Sequence, residues 1–200
     1  MTGRIAGWLT RAVLTVLAVC IMCVFMGAGS YAAEKKVDAV SYRMDLKLDT
    51  KDRTLDETVT IKIRNDTDRT VYSVCIRNIA SGVLKYDMKN YPEDNKGLSA
   101  DIKSIRLKGS KRDLKYTSKK GGTVLMVRLG KKGKIRPGKV GYITVRMKTD
   151  IPVREDRFGF MKSGKNRIYA LSFCFPYLAD NVNGKWQKDP YFDDGEMRSL

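Results

Sequence analysis

The chain has 200 residues, 42% of them hydrophobic, which suits one domain with a real core behind a leader. It carries 39 Lys and Arg against 22 Asp and Glu, a formal net charge of +17, and it has no histidine. The missing histidine excludes histidine-based triads, dyads and proton shuttles, and with them every zinc site that uses imidazole ligands.

In chain order the first feature is a leader. Arg4 and Arg11 precede an uncharged stretch over 12–33 whose core, 12–26, is rich in leucine, valine and alanine. Gly27-Ala28-Gly29 loosens the chain, and Ser30 and Ala32 place small residues at both cleavage-determining positions. Residues 1–32 therefore read as a hydrophobic signal segment, a secretory signal peptide. A stretch of about 20 apolar residues also suffices to span a bilayer, so a membrane anchor over 12–33 is the alternative. Both readings make the remainder, 33–200, secreted or extracytoplasmic. The closely spaced pair Cys20 and Cys23, which an all-cysteine zinc site would need, lies in this leader. Export would permit a disulfide between Cys75 and Cys174. Each sits in an apolar run, however, and a buried free thiol is the plainer reading.

Beyond the leader the hydrophobic period is two. Tyr42, Met44, Leu46 and Leu48 alternate with Arg43, Asp45, Lys47 and Asp49. Val59, Ile61 and Ile63 alternate with Thr58, Thr60, Lys62 and Arg64, and Ile143, Val145 and Met147 with Thr144, Arg146 and Lys148. Each run predicts a strand with one apolar and one polar face. Further strands are expected near Val71–Arg77, Ile102–Lys108, Thr123–Leu129 and Arg167–Phe175. Turn signals separate them at Asn65-Asp66, Gly109-Ser110, Gly121-Gly122 and Pro137-Gly138. No segment shows an amphipathic helical stripe, and 81–98 reads as a long loop. Seven or eight short strands predict an all-β fold, an antiparallel β-sandwich or saddle-like sheet.

The last fifty residues carry the most specific pattern. An extended run through Ile151-Pro152 leads to Arg157-Phe158-Gly159. Phe175-Pro176-Tyr177, a Gly184-x-Trp186 turn, Tyr191 and Gly195-Glu196 follow. Pro176 cannot donate to a ladder and so marks a strand end or edge, and the ring of Trp186 is expected to fold over the sheet. This block resembles the close of the N-terminal domain in the aminopeptidase N family of zinc metallopeptidases. Tyr42 to Asp49, Leu55 to Asn65 and Ile135-Arg136-Pro137-Gly138 before Tyr142 resemble, in order, that domain's first strand, second strand and lead into a long strand. The resemblance covers roughly 40–196. It implies a β domain at 33–200, incomplete at its C-terminal end, that accompanies a separate catalytic domain or an envelope protein as partner.

In complete family members the zinc lies in a His-Glu-x-x-His helix, whose two histidines share one metal while the glutamate activates water. No such site can exist in a chain without histidine, so no catalytic residue, cofactor or metal ligand is expected on it. The family's substrate-contacting glutamine has no counterpart either, since Gln187 follows Trp186 out of context. For Arg157, Phe158, Gly159, Pro176, Trp186, Gly195 and Glu196 a structural role in packing and turns is the plainer reading, and a ligand role the alternative.

Charge supplies the remaining expectations. From Lys96 to Lys148 there are 17 Lys and Arg and 2 acids, Asp101 and Asp113. Lys131, Lys132, Lys134, Arg136, Arg146 and Lys148 are candidates for a basic face. On an exported protein such a face suits an anionic membrane surface or acidic wall polymer, and no nucleic acid is expected. A plain solvated surface is the competing reading. The acids Asp180, Asp189, Asp193, Asp194 and Glu196 lack the spacing of a helix-loop-helix calcium loop. Asn65-Asp66-Thr67 matches a glycosylation sequon and equally a hairpin turn.

Overall fold

The computed structural model describes residues 35–182 and 184–191. The leader at 1–32, Gly195 and Glu196 lie outside the described residues. Twelve strands are present among these residues, and the all-β expectation holds.

Strand β1 (Val37–Asp49) turns into β2 (Thr54–Asn65), and β7 (Val140–Asp150) lies on the other side of β2 with β4 (Ala100–Leu107) beyond it. All neighbours in this order, β1-β2-β7-β4, run antiparallel. The second sheet has the order β10-β3-β6-β5 and is antiparallel too, with β3 (Ser73–Arg77), β5 (Tyr116–Lys119), β6 (Val124–Arg128) and β10 (Tyr177–Leu178). Two hairpins complete the set: β8 (Phe158–Ser163) with β9 (Asn166–Leu171), and β11 (Asn181–Val182) with β12 (Lys185–Trp186).

The two four-stranded sheets form a sandwich because their apolar phases meet. Val59, Ile61, Ile63, Ile105, Ile143 and Val145 of the first sheet pack with Val74, Ile76, Leu125 and Val127 of the second in one buried cluster. Each such side chain contributes about 1.5–3 kcal/mol on burial. Strand β3 is buried from Val74 to Arg77 without alternation. Its second face is covered as well: Cys75 packs with Val124 and Ala179, and Trp186 lies against them. A strand covered on both sides reads as a continuous apolar run.

Three sequence expectations change. Over 81–98 the structure has helix α1 (Ile79–Asn90) where a loop was expected. Ile79, Ala80, Val83 and Leu84 supply its apolar face, but Gly82 and Asp87 are buried on it as well. A buried face part-filled by glycine and aspartate leaves no stripe to detect. The strand expected over Arg167–Phe175 ends at Leu171, because Phe173 takes φ 61°, outside any strand conformation. The apolar alternation of β1 is real, and a bulge between Ala39 and Ser41 keeps Val37, Ala39 and Tyr42 in one phase. Only these three reach the core cluster; Met44 and Leu46 remain 40% and 47% exposed. Strand β1 is an edge strand of 13 residues, and from Arg43 to Asp49 every residue is exposed.

A second buried cluster joins α1 (Ile79, Ala80, Val83, Leu84) to Leu55, Ile151, Phe158, Phe160 and Cys174. Cys75 and Cys174 are both free and buried in different clusters, so the free-thiol reading holds. Burial pushes the thiol of Cys75 up to about 11 and that of Cys174 up to about 12. Among the described residues no helix is long and apolar enough to cross a membrane.

Candidate functional site

The tail block folds as a lacing along β3. Pro176 is buried directly ahead of the edge strand β10, where a missing N–H costs the ladder nothing. The carbonyl of Cys75 accepts the N–H of Ala179 (2.9 Å), and the carbonyl of Asp180 accepts that of Gln187 (2.9 Å). The guanidinium of Arg77 donates through Nη2 to the Asp189 carbonyl at 2.7 Å. Trp186 lies half-buried against the sandwich core, as expected. Arg157 is exposed; its N–H donates to Asp156 Oδ1 (2.6 Å) and its carbonyl accepts the N–H of Ser172 (2.8 Å). Phe158 fills the second cluster. A Cβ on Gly159 would collide with the Arg154 carbonyl oxygen, so this position needs glycine for close approach of two backbones. Phe158 thus belongs to one cluster and Trp186 packs against another, while Arg157 and Gly159 make turn and backbone contacts.

The six basic candidates are likewise divided. Lys131 and Lys132 lie on a single helical turn (Gly130–Gly133), and Lys134 and Arg136 follow it. This loop is pinned by buried Ile135, whose backbone exchanges hydrogen bonds with Val71 (2.9 and 3.0 Å). Asn65 secures it further, since Nδ2 donates to the carbonyls of Ile135 (2.9 Å) and Arg69 (2.8 Å). The sequon nitrogen is therefore buried and bonded, and the turn is the role the structure displays for it. Arg146 and Lys148 lie on the polar face of β7, six and eight residues past Val140, or about 20 and 26 Å along the strand. There Arg146 shares a shallow depression of about 420 Å³ with Lys47, Lys103, Asp45 and Asp56. Cations and carboxylates are interleaved on that face, whereas 131–136 carries four cations and no acid.

Buried polar groups that the sequence reading passed over are more distinctive. Glu57 stands in the apolar phase of β2, between Leu55 and Val59, and is 3% exposed. Its Oε1 accepts the Thr149 hydroxyl at 2.7 Å, while Oε2 has no hydrogen-bond partner among the described residues. Burial raises its carboxyl to about 8, against a smaller lowering by the Thr149 hydrogen bond. Its position one phase-step from Asp56 was the available signal: a carboxylate among core-facing residues. Arg154 reaches α1, where Nη1 meets the fully buried Asp87 at 2.7 Å and Nη2 meets Asp156 at 2.9 Å. Its guanidinium also lies over the rings of Tyr86 (5.2 Å) and Tyr91 (5.4 Å). Among the described residues no group of three or more His, Cys, Asp or Glu could hold a metal ion.

A second cleft of about 420 Å³ lies between β4 and β5. Ala100, Asp101, Ile102 and Lys103 line one wall, and Tyr116 and Ser118 the other. Asn78 and Ser81, at the start of α1, close the inner end. Asn78 holds the N-cap position but makes no capping bond; its Nδ2 donates to the Ala100 carbonyl at 3.2 Å.

No protein-family model matches this chain, and no curated protein matches it. Among solved structures, the chain is similar to an M1 zinc metallopeptidase variant from Deinococcus radiodurans bound to a Tyr-Ser-Ala substrate. The similarity has a TM-score of 0.39 and 11% identity, over 60% of this chain and 22% of that one, so the chain spans about a fifth of that structure's length.

Proposed function

We propose that this chain is a non-catalytic N-terminal β domain of an exported aminopeptidase N-like metallopeptidase. The observation that carries the reading is the ordered set of segments over 40–196 that resemble that domain. Their places in the fold agree with scaffold duty: the first two segments pair as β1 and β2, Pro137-Gly138 leads into β7, Arg157-Phe158-Gly159 opens β8, and Pro176 leads into β10. The zinc chemistry of the family would come from a separate domain, because this chain has no histidine.

Two measurements test it. The purified chain, supplied with zinc, is expected to release no chromogenic amine from an alanyl substrate above a mock-purified control. The nucleotides following the Leu200 codon are expected to encode a His-Glu-x-x-His segment in one of the forward frames. Zinc-dependent release by the chain, or a downstream sequence without that segment, removes the reading.

A second reading rests on the 17 cations and 2 acids between Lys96 and Lys148. It makes the chain an extracytoplasmic binding module for anionic lipid or acidic wall polymer, with the 131–136 loop as its cationic contact.

A further inference from the structure

The cleft between β4 and β5 is bounded by two sheet edges that face each other. At one end the edges are joined: the Leu114 N–H donates to the Ile105 carbonyl at 2.7 Å, and Arg106 and Asp113 form an antiparallel bridge. Toward Ala100 on one side and Lys119 on the other, the strands part, and the cleft opens between them.

The backbone on both walls points into this gap. Along an antiparallel strand the N–H and C=O groups alternate between the two sides. On the β5 side the Lys115 carbonyl accepts the Arg128 N–H at 2.9 Å and so faces β6. Leu114, Tyr116 and Ser118 then face the other way, as the Leu114 bond to Ile105 shows. On β4 the Ile105 carbonyl faces outward, and so does that of Ala100, which Asn78 reaches. The register shift between Ile102 and Ser104 absorbs the odd spacing and turns the backbone of Ile102 outward as well. The Leu114–Ile105 and Asn78–Ala100 bonds use part of this set; both β4 and β5 end their sheets, so among the described residues no further strand covers the backbone of Ile102, Tyr116 and Ser118.

We propose that this cleft binds an extended, acidic peptide segment, taken up as an added strand between β4 and β5. What pairs two facing edges at once is a strand, with main-chain bonds supplying affinity and alternate side chains supplying selectivity. The added strand would join the two sheets in the order β1-β2-β7-β4-guest-β5-β6-β3-β10. Strand β5 has four residues, which limits the paired part of the guest to about 13 Å. Asn78, 2% exposed at the inner end, has an Oδ1 without a hydrogen-bond partner. A buried acceptor of this kind gains from a donor brought by a guest. Charge selects the guest's chemistry. The charged lining residues, Asp101 and Lys103, pair with each other at 3.4 Å, while Lys115, Lys119 and Lys120 are exposed beside the cleft at the two ends of β5 with no acid among the cleft's other lining residues. This site stands independently of the aminopeptidase reading.

The test is fluorescence anisotropy of the full chain with a fluorescein-labelled octapeptide of alternating glutamate and valine. Saturable binding is expected, weakened at least tenfold when alternate guest amides are N-methylated. Ser118→Pro removes one outward N–H and leaves the ladder bonds of Thr117 and Lys119 to β6 in place, so it should weaken binding about tenfold with an unchanged circular dichroism spectrum. On the unaltered chain, hydrogen exchange at the amides of Ile102, Tyr116 and Ser118 should slow at least tenfold on adding peptide. Equal affinity for the N-methylated peptide would reduce the site to bulk charge and overturn the proposal. So would absence of binding, or exchange protection confined to other strands.

Discussion

Glu57 shows what one misplaced charge can do to a β core. Its neighbours in phase, Leu55, Val59, Ile61 and Ile63, are fully or nearly fully buried, and the carboxyl shares their environment. With the folded-state value raised to about 8 and an ordinary value of 4.5 in the unfolded chain, the unfolded state releases the proton first. Between these values the native state therefore binds more protons than the unfolded state, so stability falls as pH rises from about 4.5 and levels off above about 8. Urea unfolding at pH 5 and pH 8 should show a lower midpoint at pH 8. Glu57→Gln keeps an acceptor for the Thr149 hydroxyl and cannot ionise. It should remove most of that dependence and stabilise the fold by roughly 2 kcal/mol or more at pH 8. An unchanged pH profile in the variant would assign the dependence to other groups. The residue identity was plain in the sequence. Its place in the apolar phase of β2 was legible too, but whether the sandwich covers that position was not, since the same alternation in β1 leaves Met44 and Leu46 exposed.

At the scale of elements, two contacts fix how the β8–β9 hairpin and α1 are held, and both depend on what is absent or hidden. The β8 backbone lies against the Arg154 carbonyl, where only the missing Cβ of Gly159 allows contact. Phe160 N–H donates to the Pro152 carbonyl (2.7 Å) and Arg154 N–H to the Phe160 carbonyl (3.1 Å), so the segment cannot retreat without losing ladder bonds. Gly159→Ala should destabilise the domain by about 1–3 kcal/mol, read as a lower thermal midpoint with far-ultraviolet dichroism still of β type. Gly164→Ala, where nothing lies within 4 Å but φ is +59°, serves as the comparison and should cost less, about 1 kcal/mol. An equal or larger loss at Gly164 would mean the close approach at Gly159 relaxes freely. Helix α1 escaped the sequence reading for a related reason. Gly82 is needed because Tyr191 and the Thr123 methyl press against it, and Asp87 is admitted to the buried face because Arg154 neutralises it. Both residues weaken the helical signal, and both are explained only by partners distant in the chain.

Across the whole molecule, charge is regional. The stretch from Lys96 to Lys148 contributes 17 − 2 = +15 of the net +17. The structure distributes these cations unevenly: on the outer face of β7 they alternate with Asp45 and Asp56 of neighbouring strands, while Lys131, Lys132, Lys134 and Arg136 share a loop without acids. Fields from exposed charges are screened within about 8 Å at physiological ionic strength, so grouping matters more than the total. Cosedimentation with vesicles containing anionic phospholipid should therefore weaken strongly with salt. Reversing Lys131, Lys132 and Lys134 to glutamate should reduce it more than reversing Arg43, Lys47 and Lys62. Equal losses from the two triples would make attraction a property of net charge alone.

The all-β class, the phases of β2 and β7, the turn at Asn65 and the edge position of Pro176 were determined by the sequence alone. Each is local: period two, a side chain that bonds its own turn, and a ring without an N–H act wherever they stand. Tertiary structure alone decided that Met44, Leu46 and Leu48 stay exposed on an alternating strand, and that Glu57 does not. It also decided that 79–90 is a helix, that the basic residues divide between a loop and a mixed-charge sheet face, and that β4 and β5 part to leave two facing edges. In each case the outcome depends on which surface another part of the chain comes to cover. Burial and the neutralising of a charge are made between residues tens of positions apart, and no local pattern carries them.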